Sequence, residues 1–234
     1  MDERFIARRN REIKSREREL IEIALGLAKS EGLHKVSPGE VAKHSDYSRA
    51  TVYKLWSSRE DLLAACAIRS IDMQISMYKK ILPQWDDHAA SLLVFSLGYI
   101  WHIRNNSTLF QLSLIGRSAE NLASCAEETR QRRLAAEKEL AELIMSVVDM
   151  DSGERIYVGD IAILDAVNTV RAMTTGFGIF STNNGKSAWG DELTDIHAAT
   201  LIIKVMSGLG WKVNHLSLDS ICSQLKKQLE AVDD

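Results

Sequence analysis

The chain has 234 residues, of which 45% are hydrophobic, enough for one large or two small buried cores. Two prolines, 13 glycines and few β-branched runs favour an all-helical protein. A net charge of −3 on its own argues against nucleic acid, but its distribution does not: residues 1–60 carry thirteen Lys/Arg against ten Asp/Glu, and the remainder sixteen against twenty-two.

The chain opens on a basic stretch, with Arg4, Arg8, Arg9, Arg11, Lys14, Arg16 and Arg18 within residues 1–18. Two readings stay open for it: a solvated, partly disordered lead-in, or an arm that follows phosphates or enters a minor groove. From Glu17 to Ser30, the residues Leu20, Ile21, Ala24, Leu27 and Ala28 form one apolar stripe, so a helix is expected, ended by Gly32. No apolar signal core stands at the N-terminus, and the longest apolar stretch, around Leu92–Trp101, is too short to span a bilayer.

Residues 37–63 are the most informative. Ser37 is a helix-capping type, Pro38 takes the first helical position, and Val41, Ala42 and Ser45 repeat at helical spacing. Asp46-Tyr47 interrupts, and a second short helix begins at Ser48. Two short helices across a tight turn read as a helix-turn-helix. The second helix offers Arg49, Thr51 and Lys54 to a major groove, while Val52, Leu55 and Trp56 pack the domain. Arg49 is the best candidate for base readout, because a guanidinium matches guanine O6 and N7 in a two-pronged fork. Thr51 can give its methyl to thymine or its hydroxyl to phosphate, and Lys54 can serve either purpose.

The ordered run A-x-x-x-D-Y-S-x-A-T-V-Y-x-x-W-x-S-R-E-D-L-L, Ala42 to Leu63, resembles the tetracycline-repressor-like (TetR) family of bacterial regulators. Asp46 stands for the usual turn glycine, Trp56 for phenylalanine and Arg59 for lysine, and Ala50 lies where glycine is frequent. The resemblance implies that Tyr53 and Arg59 hold the DNA backbone, with Ser37, Ser48 and Ala50 completing the reading surface. Gly39 occupies the place from which an arginine reaches a base in some relatives, so that contact is not expected.

A long helix is expected from Glu60 to Leu82, ended by Pro83. Beyond it, further helices are expected over 87–104, 107–116, 121–148, 160–180, 191–209 and 217–231, with turns at 149–159 and 181–190. The stretch 92–103 is apolar nearly all round, the mark of a central helix. The chain therefore divides into a basic arm (1–18), a helix-turn-helix domain (19–59) and a helical body (60–234).

In the body, Phe95, Tyr99, Trp101, His102 and Phe110 are either plain core or the wall of a pocket, with Asn168 and Arg171 as further polar candidates. The family resemblance implies such a pocket, for a small and largely apolar effector. It also implies a homodimer built from the last long helices, which here present Val167, Val170, Leu201, Ile202 and Val205.

Other chemistry finds little support. Gly185-Lys186-Ser187 lacks the earlier glycine of a phosphate-binding loop, since Phe180 stands there. The six histidines show no metal-ligand spacing, and the three cysteines suit small core hydrophobes in a reducing cytoplasm. Neither cofactor nor metal is expected. The expectation is a DNA-binding regulator of a palindromic operator, released by an effector, with a constitutive regulator as the alternative. An enzyme or ligand carrier on the same fold is the rival from another class.

Overall fold

The computed structural model describes residues 3–148, 156–181 and 194–233. Its α-helices are α1 (Glu3–Glu31), α2 (Pro38–Lys43), α3 (Arg49–Leu55), α4 (Arg59–Ile81), α5 (His88–Asn105), α6 (Ser107–Gly116), α7 (Ala119–Ser124), α8 (Glu127–Val148), α9 (Ile163–Ser181), α10 (Asp195–Gly208) and α11 (Leu218–Asp233). Of the expected turns at 149–159 and 181–190, residues 149–155 and 182–190, with Gly185-Lys186-Ser187, lie outside the described residues. Among the described residues no helix is long and apolar enough to cross a membrane.

Packing groups the chain into two compact units: Met1–Asp72 with Thr108–Glu137, and Met73–Ser107 with Lys138–Asp234. The first unit thus takes in α6, α7 and the start of α8 as well as the helix-turn-helix, and α4 runs through both units.

In the first unit, α1 begins far earlier than its apolar stripe. The lead-in is helical and continues the helix back to Glu3. The chain before Gly26 holds neither glycine nor proline, its Arg, Lys and Glu residues are good helix formers, and Arg8 pairs with Glu12 one turn on at 2.9 Å. Further along, Leu20, Ile21 and Ala24 are buried, and Glu17 beside them is met by Arg132 at 2.9 and 3.0 Å. Gly32 closes the helix at φ 97°, with its N–H bonded to the Ala28 carbonyl at 3.2 Å.

The helices expected at 121–148 as one piece are two. Ser118 caps α7, accepting from Asn121 N–H at 3.2 Å, and α8 starts afresh after Cys125. The break is held from α4: Asp61 accepts the Ala126 N–H at 2.8 Å, and Asn121 Nδ2 donates to the Glu60 carbonyl at 3.0 Å. Gly116 lets α6 meet α4, because a Cβ there would run into the carbonyl oxygen of Leu63.

In the second unit α5 is the central element, buried on nearly every side from Ala89 to Ile103. The Tyr78 ring stacks on Phe95 with centroids 4.1 Å apart, and its hydroxyl donates to the Phe95 carbonyl at 2.9 Å. From α9, Ala166, Val167, Val170 and Thr174 are buried; from α10, Ala198, Ala199, Ile202 and Met206; from α11, Ile221, Leu225 and Leu229. A short antiparallel bridge joins Tyr157 to Trp211, around a Gly210 whose φ of 100° and contact with Gly159 exclude any side chain.

Candidate nucleic-acid interface

The reading helix α3 is defined at its start by Ser48, whose hydroxyl accepts the Thr51 N–H at 3.2 Å and lies 2.8 Å from Thr51 Oγ1. Ser37 does the same for α2, accepting from Glu40 N–H at 3.3 Å, with Pro38 at the first position. Both serines expected at the DNA surface therefore act first as helix caps.

The faces of α3 divide by chemistry. Val52 and the following Trp56 are fully buried; Ser48, Arg49, Ala50 and Lys54 are exposed; Thr51 and Tyr53 are half-buried. Arg49 is held rather than loose. Its Nη2 donates to the Tyr53 hydroxyl at 3.4 Å, and its guanidinium carbon stands 5.2 Å from that ring's centroid. Gly39 makes room for this pair, since a Cβ there would lie 3.3 Å from the Tyr53 oxygen.

Arg59 is turned inward in part. Its Nε donates to the Val36 carbonyl at 3.0 Å and its Nη2 to the Leu33 carbonyl at 3.2 Å, bracing the loop before α2. At the root of α4, burial raises the Asp61 carboxyl. Hydrogen bonds from Ser57, the Ala126 N–H, Thr129 and Ser58 outweigh that and hold it below the ordinary carboxylate value.

The aromatic candidates of the body fall in both units. Phe110 belongs to the first unit, whereas Phe95, Tyr99, Trp101 and His102 belong to the second. Phe95, His102 and Phe110 are buried, and Phe95 is covered by Tyr78. Trp101 lines a shallow recess with Cys222 and Leu225. Asn168 and Arg171 are exposed on α9 and bonded to each other at 3.3 Å. A groove of about 300 Å³ opens elsewhere in the second unit, walled by Tyr78, Leu82, Trp85, Leu143 and Val147.

The candidate pairing residues also separate. Val167, Val170 and Ile202 are buried inside the unit, while Leu201 and Val205 are half-exposed. The apolar side chains that α9 and α10 leave in water are others: Leu164 (53% exposed), Phe180 (61%), Ile179 and Ile196. In α9, Leu164 is separated from Ile179 and Phe180 by about four turns, so no one-turn repeat marked them in the sequence, and the apolar stripe on the inner face stood out instead.

The segment spanning these two caps and the α3 surface decides the family. Residues 20–66 match the family model for bacterial regulatory proteins of the tetR family. They are a TetR-family DNA-binding domain. The TetR-type regulator fold extends over most of the chain. The TetR-family regulator PfmR from Thermus thermophilus superimposes at TM-score 0.59 and 18% identity, over 81% of this chain and 98% of that one. A tetR-family protein from Rhodococcus RHA1 gives 0.57 at 15% identity, over 83% and 97%. The fatty acid degradation regulator FadR from Bacillus halodurans gives 0.60 at 12% identity, over 82% and 93%. No curated protein matches the chain. At these identities the likeness is one of fold, and the DNA-binding assignment rests on the TetR domain itself.

Proposed function

We propose that the chain is a homodimeric transcriptional repressor that binds a palindromic operator through α3 and is released by a small, largely apolar effector. One observation carries the reading: α3 buries Val52 while presenting Arg49 and Lys54 to solvent, with Arg49 already steadied by Tyr53. Arg49 is the base reader. Thr51 and Lys54 flank it, and Tyr53 and Arg59 approach the backbone. Two copies related by a two-fold axis would read half-sites about one turn of DNA apart, or a multiple of that.

Selection of bound duplexes from a random pool tests this. An enriched inverted repeat supports the dimeric reading, a single enriched half-site removes the palindrome, and no enrichment removes sequence-specific binding. Release by an effector is a separate matter, and a second reading competes with it. The closed packing of Phe95 against Tyr78 and the burial of Phe110 favour a constitutive regulator whose body serves only assembly. Release of the selected duplex by any compound class decides between the two.

A further inference from the structure

The first turns of α1 present a chemical question that the helix-turn-helix does not answer. Arg4, Arg8, Arg9, Arg11 and Lys14 are exposed, and Glu17 and Leu20 further along α1 are buried. What the leading part does contribute is one wall of an open groove of about 690 Å³ in the first unit. Arg9 and Arg16 line it from α1, and Thr51, Tyr53 and Lys54 line it from the reading helix.

The charges in the groove are not equivalent. Glu12 is engaged by Arg8 at 2.9 Å, and Arg132 by Glu17. Asp61 is almost fully buried and already accepts from Ser57 and from the Ala126 N–H. Removing these internal pairs leaves Arg9, Arg16 and Lys54 facing one carboxylate, Glu128. The Arg16 side chain lies over the Tyr47 ring, 5.3 Å from its centroid, and its Nε is shielded from water without an acceptor. An anionic oxygen entering the groove would meet the charged guanidinium that lines it.

We propose that this groove is a second DNA contact, in which the front of α1 holds the phosphate backbone flanking the bases read by α3. The inference rests on the DNA-binding reading and adds to it a footprint longer than the recognised bases. Arg9 and Arg16 approach the flank from one side and Lys54 from the other. A phosphate track carries no base information, so the added affinity is indifferent to flank sequence and steep in salt.

The test uses a duplex selected from random DNA in two forms, one ending at the recognised bases and one extended by most of a helical turn at each end. The whole protein is expected to bind the extended duplex more tightly, whatever the flank sequence. Its salt dependence should steepen by roughly one unit for each flanking phosphate held. Arg9→Ala combined with Arg16→Ala should erase this advantage, with helix content checked by circular dichroism. Arg16→Lys, which keeps the charge, should retain part of it. Uncharged methylphosphonate flanks should act like the short duplex. Equal affinity and salt slope for both duplexes in the wild type would overturn the proposal, as would a flank advantage that survives the double variant. Tight binding of inorganic tripolyphosphate at Arg9 and Arg16 without any flank advantage would overturn it too, making the groove a small-anion site. Failure to retain either duplex would instead strike the DNA-binding reading itself.

Discussion

Asp61, in the first turn of α4, accepts the main-chain N–H of Ala126 at 2.8 Å and thereby fixes where α8 begins. The same carboxylate accepts from Ser57 at 2.7 Å, so the residue just past the reading helix and the start of α8 share one anchor. Asp61→Ala should destabilise the first unit by roughly 1–3 kcal/mol, because two part-buried hydrogen bonds lose their acceptor. Its carboxyl sits below the usual 3.8, so the stabilisation is fully present above that value and is lost as pH falls through the lower folded one. Urea unfolding of wild type and variant at neutral pH and near pH 3 checks both statements. The difference between the two proteins should shrink at the acid end.

Base readout should depend on Tyr53 as well as on Arg49. Arg49→Ala is expected to cost roughly 1–3 kcal/mol on the selected operator and to relax one base position in each half-site. Tyr53→Phe keeps the ring under the guanidinium but removes the hydroxyl that receives Nη2. It should weaken binding on all sequences through its phosphate contact, and in addition loosen discrimination at the Arg49 position. If Tyr53→Phe lowers operator and random-DNA affinity by one factor, the tyrosine is a backbone contact only.

Arg59→Ala should act on stability as well as on DNA. The guanidinium donates to the Val36 and Leu33 carbonyls, so its loss should cost roughly 1–2 kcal/mol of unfolding free energy. Arg59→Lys should recover less than half of this, since a single ammonium does not reproduce the two-pronged geometry. A variant as stable as wild type but weak on DNA would show that the loop contacts are incidental.

How much was legible in the sequence depended on whether the signal was local. Caps and breakers were: Ser37, Pro38 and Ser48 mark the helix starts where α2 and α3 begin, and Pro83 follows the end of α4. The basic lead-in did not announce its helix, because charge density suggests solvation, whereas Arg and Glu at one-turn spacing also sustain a helix. The break at Cys125-Ala126 was invisible because its cause, the Asp61 carboxylate, lies 65 residues away. Phe95 and Phe110 read alike by type, and the structure buries both. Composition names the residues fit for a pocket wall but not which of them face one another.

Assembly should use the outer face of α9 rather than the inner one named by the apolar stripe. On that face Leu164 (53%) and Ile179 (41%) are exposed, while Val170 and Ile202 are fully buried. Leu164→Glu should therefore give a folded monomer, and Val170→Glu an unfolded second unit, since a charge there would be buried without a partner. Sedimentation together with circular dichroism separates the two outcomes. A wild-type monomer at micromolar concentration would remove the homodimer, and an intact dimer in Leu164→Glu would move the interface elsewhere.

Effector release, if this chain has it, should be sensed at the groove by Trp85 and not at the Phe95 cluster. Tyr78, Leu82, Trp85, Leu143 and Val147 give about 300 Å³ of largely apolar wall, and Tyr78 and the rim residue Lys79 both lie on α4. That helix begins at Arg59, so a ligand seated against its far end acts on the element that carries the brace of the DNA-binding loop. To release DNA, the ligand must bind the DNA-free geometry better, and a differential of about 3 kcal/mol shifts the operator equilibrium more than a hundredfold. Among aromatic, fatty-acyl and polar compounds, the first two classes are expected to release the operator. Ser146 lines the same groove and is exposed, so Ser146→Trp should fill it and abolish release without disturbing the fold. Trp101→Ala, which alters only the separate recess beside Cys222, should leave release unchanged. Release that survives Ser146→Trp would locate the ligand elsewhere in the body. An operator complex indifferent to every class would leave the constitutive regulator as the reading that stands.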